Sequence, residues 1–76
     1  MPSTTTGSGA QTLQYGGTPK QIAIDNKNAS GTLNIKINED TVGITVEASG
    51  KRGWRINKGI YQVTITASGS WEVTTN

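Results

Sequence analysis

Apolar residues recur at every second position in several short stretches of this chain. The alternating positions are Leu33, Ile35 and Ile37, then Ile44 and Val46, then Tyr61, Val63, Ile65 and Ala67. Polar residues fill the places between them. A period of two is typical of β-strands that bury one face and leave the other in water, whereas no stretch repeats with the period of a helix. The pattern therefore predicts an all-β protein.

Turn-forming residues separate these stretches at intervals of roughly 8–12 residues, which is typical of a small antiparallel β-sandwich or a jelly-roll-like barrel. We expect strands over residues 10–15, 20–25, 32–38, 42–48, 54–56, 60–67 and 71–74. The segment 42–48 is expected to bury Val42, Ile44, Val46 and Ala48. Ser68, Gly69 and Ser70 predict a tight hairpin. Residues 20–76 thus form the predicted sandwich, and residues 1–19 an extended polar N-terminal arm.

The chain is short for a protein that must fold unaided. It has 76 residues, of which 32% are hydrophobic, and it contains neither Cys nor His. A core of this size supplies roughly 3–5 kcal/mol, and small natural domains add disulfides, metals or partner subunits. Without Cys and His, disulfides and the commonest transition-metal ligands are excluded. We therefore expect an oligomer or a component of a larger assembly, with no cofactor and no metal.

The arm has almost no side chain that could enter a core. Its first nine residues are Ser, Thr and Gly apart from Met1 and Pro2, and such a segment is disordered on its own. Ordering it costs about 1–2 kcal/mol per residue in backbone entropy. We expect the arm to lie on another chain, with its contacts at Thr4, Thr5, Thr6, Leu13 and Tyr15. Removing residues 1–9 should then abolish partner binding and leave the β-domain folded.

Most of the basic residues gather in one region around Trp54: Lys51, Arg52, Arg55 and Lys58. They could form a patch that binds an anionic partner through Lys51, Arg52, Trp54 and Arg55. Alternatively, Trp54 belongs to the core and the charges are a solvated turn. The net charge of +2 is too small to indicate nucleic-acid binding.

Catalysis and membrane insertion have no support in the sequence. Glu39 and Asp40 are adjacent in a turn, so their carboxylates diverge and do not form an acid–base pair. No apolar run approaches the roughly 20 residues of a membrane span. The polar N-terminus lacks the apolar core of a signal peptide, so we expect synthesis in the cytoplasm. We expect no enzyme activity and neither a nucleic-acid nor a membrane partner.

From about residue 20 to residue 76 the chain resembles the small β-domain virion proteins of tailed bacteriophages. The resemblance is carried by the strand that opens with Ile22, Ile24 and Asn26, the stretch 33–37, the Thr/Val stretch 41–47, the glycine-flanked basic turn, and the closing strands 61–67 and 71–74 with the Ser-Gly hairpin between them. It implies a capsid decoration (cement) protein that binds the major capsid protein or another virion protein, as a trimer on the virion. The alternative is a fibre-tip module that binds a receptor or glycan, with Arg52, Trp54 and Arg55 on an exposed face.

Overall fold

The computed structural model describes residues 2–76, which form strands and no helix. The strands are β1 (Ser3–Ser8), β2 (Gln11–Gln14), β3 (Gln21–Asn26), β4 (Leu33–Ile37), β5 (Ile44–Val46), β6 (Lys51–Arg55), β7 (Gln62–Ala67) and β8 (Ser70–Thr75). They form two four-stranded antiparallel sheets, in the orders β1-β8-β3-β6 (sheet A) and β2-β7-β4-β5 (sheet B). The predicted all-β fold is confirmed.

The strand order is that of a jelly roll. β1 pairs with β8, β2 with β7, β3 with β6 and β4 with β5, so the first half of the chain runs against the second half like one long hairpin. Rolling this hairpin adds the pairs β3–β8 and β4–β7 and closes the two sheets. Eight strands wound in this way are the double-sheet solution that jelly rolls use.

One face of each sheet supplies the core. The fully buried apolar side chains are Ile22, Ile24, Leu33, Ile35, Ile37, Val46, Ile60, Val63, Ile65, Trp71 and Val73. Leu13, Tyr15, Trp54, Ile56 and Ala67 pack against them at the margin. Most outward positions of both sheets are polar or charged, as alternation requires, apart from Ala23 and Gly53 in sheet A.

The segment 42–48 forms a shorter strand than the sequence predicts. Only Ile44–Val46 is a strand, and only Val46 is buried, whereas Val42 is 84% exposed and Ala48 is exposed. The reason is local backbone geometry, because Gly43 (φ 77°) and Ser49 (φ 57°) adopt the left-handed conformation on either side. Both residues break the extended alternation that would bury the whole face.

Tyr61 lies outside the core, although alternation with Val63 and Ile65 predicts it inside. It is 56% exposed, and the buried residue is its neighbour Ile60. The Oδ1 atom of Asn38 accepts hydrogen bonds from the backbone amides of both Tyr61 (2.7 Å) and Gln62 (3.2 Å), which shifts the register before β7 begins. The Tyr61 ring then lies over Gly17, where any Cβ would come within 2.4 Å of it.

The Ser68–Ser70 turn does not join two strands of one sheet. β7 belongs to sheet B and β8 to sheet A, so the chain crosses between the sheets where the sequence predicts a hairpin. The alternation on both sides is preserved, since Trp71 and Val73 are buried as predicted. A tight turn signal fixes the reversal of the chain but not which sheet the next strand enters.

The segment predicted to be a free arm is part of the sandwich. β1 pairs with β8 over its whole length, from Ser3 opposite Thr75 to Ser8 opposite Ser70, and β2 pairs with β7. The backbone ladder thus supplies the interactions that the side chains of residues 3–8 lack. Trp71 explains where β1 lies: its indole Nε1 donates to the carbonyl of Gly9 at 3.0 Å, and its ring lies within 2.6 Å of a Cβ built on Gly7. Only glycine fits there. Met1 lies outside the described residues.

Candidate partner-binding edge

β6 forms one edge of sheet A, and its ladder with β3 determines which of its backbone groups are free. The amide of Ile56 donates to the carbonyl of Lys20, and the amide of Asn26 donates to the carbonyl of Gly50. Residues 50, 52, 54 and 56 therefore direct their amide and carbonyl groups towards β3. Those of Lys51, Gly53 and Arg55 point away from the sheet, and within residues 2–76 no strand pairs with them.

Three basic side chains line this edge. The Lys51 ammonium lies 3.7 Å from the Asp25 carboxylate and remains 78% exposed, and the Arg55 Nε donates to the Asn57 Oδ1 at 2.9 Å. Arg52 points the other way and reaches Glu47 at the end of β5, 3.2 Å from its Oε2 atom. The Lys51 and Arg52 side chains in these contacts are more than half exposed, so the contacts hold little energy in water and leave the positive charges available to a partner.

Arg52 joins the two sheets at their open side. The pKa of Glu47 is held below its usual value, first by a hydrogen bond from the backbone amide of Glu47 itself and then by the Arg52 guanidinium. Ile44 of β5, 38% exposed, lies beside Arg52 and Trp54 in a small groove of about 220 Å³. The side of β6 that faces β5 is therefore partly apolar, and Val42 adds a further exposed apolar side chain close by in sequence.

Trp54 packs against the core and is half-buried, as the second interpretation predicts. The turn that this interpretation assigns to the charges is wrong, because Lys51, Arg52 and Arg55 belong to the strand β6. Its alternation places Arg52 on the same side of β6, and Arg55 on the opposite side. The three residues therefore do not share one exposed face, as a glycan-stacking platform would require. Lys58 is also separate: it lies in the next turn, beside Asn38, Glu39 and Tyr61.

The outward face of sheet A is hollow next to β6. Ala23 and Gly53 are directly opposite each other in the β3–β6 ladder, and they form the floor of a shallow groove of about 480 Å³. Gln21, Arg55, Thr74 and Asn76 line it. Sequence reasoning did not identify Ala23, Gly53 or Ile44 as site residues. Their signal was available in the alternation of β6, because Trp54 in the core places Gly53 on the outward face.

The arm residues expected to bind a partner fall into two groups, one packed against the chain's own core and one exposed. Leu13 and Tyr15 pack against the chain's own core, and burial raises the pKa of Tyr15 while the side chains of Thr5 and Thr75 lower it in part. Thr4 and Thr6 are exposed on the outward face of sheet A, where the Thr4 hydroxyl is 3.3 Å from that of Thr74. The backbone pairing of β1 with β8 explains the difference from the expected arm.

Two other kinds of feature were considered, a metal site and a membrane-spanning helix. Within residues 2–76, no three His, Cys, Asp or Glu side chains come together as metal ligands. The same range contains no helix that is long and apolar enough to cross a membrane. Compared with known proteins, the chain matches no family model, no curated protein and no solved structure.

Proposed function

We propose that this jelly roll is a structural virion protein that binds the assembled capsid as a decoration protein and performs no catalysis. The observation that carries the proposal is the edge of β6, where unpaired backbone groups lie beside Lys51, Arg52 and Arg55. Jelly rolls build many viral capsid subunits and lectins. Because one fold serves many functions, the edge rather than the fold identifies the mode of action.

The mode of binding differs from the one expected from the sequence. An arm that lies in its own sheet is not available to hold a neighbouring coat subunit. The ordered polar arm also does not require a partner, because β8 supplies the hydrogen bonds of its backbone. What remains is β6, whose free amide and carbonyl groups can accept an added strand from the major capsid protein or another virion protein. A protein that binds only the assembled shell stabilises it by mass action.

The charge of the edge restricts the partner. Lys and Arg on an edge strand repel most other strands and so prevent aggregation. A strand that carries carboxylates is attracted instead, and so is any acidic coat surface. We propose that the same binding places the protein on the virion as a trimer, as the resemblance implies. The molar mass from light scattering tests whether three subunits associate.

Co-sedimentation with virus particles from the same source tests the function. We expect saturable binding that weakens as ionic strength rises, together with greater resistance of the particles to heat. The double variant Lys51→Glu/Arg55→Glu should lose binding. The double variant Lys36→Glu/Lys58→Glu changes the net charge equally but away from β6, and should retain it. If the wild-type protein does not co-sediment with the particles at low salt, the proposal is refuted.

The alternative fibre-tip function has its own readout. A glycan array or cell-binding assay should show no preference for any sugar if the protein is a decoration protein. Sugar-specific binding that disappears in Arg52→Ala/Arg55→Ala, in the absence of particle binding, would favour the receptor module instead.

A further inference from the structure

Gly53 is a glycine that the fold does not need. Its φ is not in the left-handed region, and a Cβ built on it would approach no atom closer than 3.4 Å, which is ordinary van der Waals contact. At Gly7 and Gly17, in contrast, a Cβ would collide with the ring of Trp71 and of Tyr61, respectively. Glycine inside a strand costs about 0.5–1 kcal/mol relative to alanine. Such a glycine often marks a place where another molecule approaches the strand.

The groove over Gly53 and Ala23 lies beside the free edge. The free amide and carbonyl groups of Lys51, Gly53 and Arg55 define three consecutive hydrogen-bonded positions for an added antiparallel strand. The side chains of that strand at these positions would stand on the outward face of sheet A, directly opposite Lys51, Gly53 and Arg55. The middle one would lie over the floor of the groove.

We propose that the strand bound by β6 carries an aromatic residue opposite Gly53 and an acidic residue two positions away on each side. This inference rests on the proposed function, since it describes the partner segment that the β6 edge would bind. An aromatic side chain placed across from a strand glycine covers the bare backbone and restores the missing contacts. The two carboxylates would pair with the Lys51 ammonium and the Arg55 guanidinium.

The two intervening residues of the bound strand face the other side of β6. There they meet the groove formed by Ile44, Arg52 and Trp54, which accepts small aliphatic side chains. The complete pattern is acidic, aliphatic, aromatic, aliphatic, acidic. It differs from a strand of this protein itself: β1, the other edge of sheet A, carries no acidic and no aromatic residue.

A synthetic peptide with the central order Glu-Val-Tyr-Val-Glu, extended at both ends by Gly-Ser, tests this directly. Its binding to the full-length protein is measured by NMR chemical-shift titration at low salt. We expect the largest shifts at the amides of Lys51, Gly53 and Arg55. Replacing the Tyr of the peptide with Ala should weaken binding about fivefold. Replacing both Glu with Lys should abolish it.

Gly53→Val is the matched protein variant. Valine favours a strand, and a Cβ at position 53 meets only ordinary van der Waals contacts on the outward face, so we expect the variant to fold with unchanged or higher stability. Its branched side chain fills the groove, so the Tyr peptide should lose its advantage and bind no better than the Ala peptide. The variant Gly43→Val is unsuitable as a control because Gly43 has a positive φ, so Thr45→Val on the outward face of sheet B serves instead.

The outcomes separate the two proposals. If the Tyr and Ala peptides bind equally to the wild-type protein, or if Gly53→Val retains the preference for Tyr, the inference about the partner strand is wrong, whatever the particles do. If peptide binding follows the expected pattern but particles are not bound, the inference about the bound strand is supported and the proposed virion function is refuted. Particle binding that is lost in Lys51→Glu/Arg55→Glu but unaffected by Gly53→Val would keep the function and refute the aromatic contact.

Discussion

At the residue scale, the buried side chain of Asn26 joins the loops at one end of the sandwich. Its Nδ2 donates to the carbonyls of Gly31 (2.9 Å) and Glu47 (3.1 Å), and more weakly to Val46 (3.4 Å). Its Oδ1 accepts the backbone amide of Asn28 at 3.1 Å. Removing these partners leaves buried polar groups without hydrogen bonds. Asn26→Ala should therefore lower the free energy of unfolding by about 2–3 kcal/mol in urea denaturation.

Two further variants sharpen this prediction. Asn26→Asp should be at least as destabilising as Asn26→Ala, because a buried carboxylate would face carbonyl oxygens and could donate to none of them. Asn34→Ala, on the outward face of sheet B, should change stability by less than about 0.5 kcal/mol. A loss for Asn26→Ala as small as that of Asn34→Ala would show that the amide does not hold the loops together.

Asn26 also shows what can be read from the sequence at this scale. It follows Ile22 and Ile24 at the same spacing of two, which is the signal that it faces the core. Asparagine also favours turns, and the strand predicted over residues 20–25 therefore stops just before it. Both statements hold in the structure: Asn26 ends β3, and its side chain replaces an apolar one in the buried row.

At the scale of elements, β1 covers the indole of Trp71. Deleting residues 2–9 would remove the Gly9 carbonyl that accepts from the indole Nε1 and expose the ring to water. Losing the burial of one large aromatic side chain costs roughly 2–3 kcal/mol, a large share of the roughly 3–5 kcal/mol available to so small a core. We expect the truncated chain to be mostly unfolded by circular dichroism at 37 °C or below.

This outcome is the opposite of the folded β-domain expected from the sequence. Thr4→Ala/Thr6→Ala is the control, since it changes only exposed side chains of β1 and should remain folded. A truncated chain with native thermal stability would mean that β1 is not an integral strand of sheet A.

The elements differ in how well their sequences predict them. β4, β7 and β8 have strict alternation and were predicted nearly residue by residue, with Leu33, Ile35, Val63 and Trp71 in the core. β1 has no apolar residue to alternate, although its threonines favour strands, and its place depends on β8 and on Trp71 far along the chain. The candidate partner-binding edge was predicted only as a cluster of charges. Which of them share a face depends on the pairing of β6 with β3, which no local pattern reveals.

At the scale of the whole molecule, the jelly roll brings the two ends of the chain together. Thr4 and Thr74 are directly opposite on the outward face, and their hydroxyl oxygens are 3.3 Å apart. The amide of Gly9 donates to the carbonyl of Gly69, so odd-numbered residues of β1 form the hydrogen-bonded pairs with β8. Thr4 and Thr74 therefore form a non-hydrogen-bonded pair, in which side chains approach most closely.

A disulfide between these two positions tests the topology. Oxidised Thr4→Cys/Thr74→Cys closes a loop of almost the whole chain, which in the chain-entropy model stabilises the fold by about 4 kcal/mol. The same variant kept reduced is its own control and should be close to wild type, because both side chains lie on the outward face, Thr4 exposed and Thr74 partly buried. We expect the oxidised form to need distinctly more urea to unfold than the reduced form. If the disulfide fails to form within the folded chain, or forms without any gain in stability, β1 does not lie beside β8. The first residues would then be available to bind a partner, and the β6 edge would no longer be the main candidate for attachment.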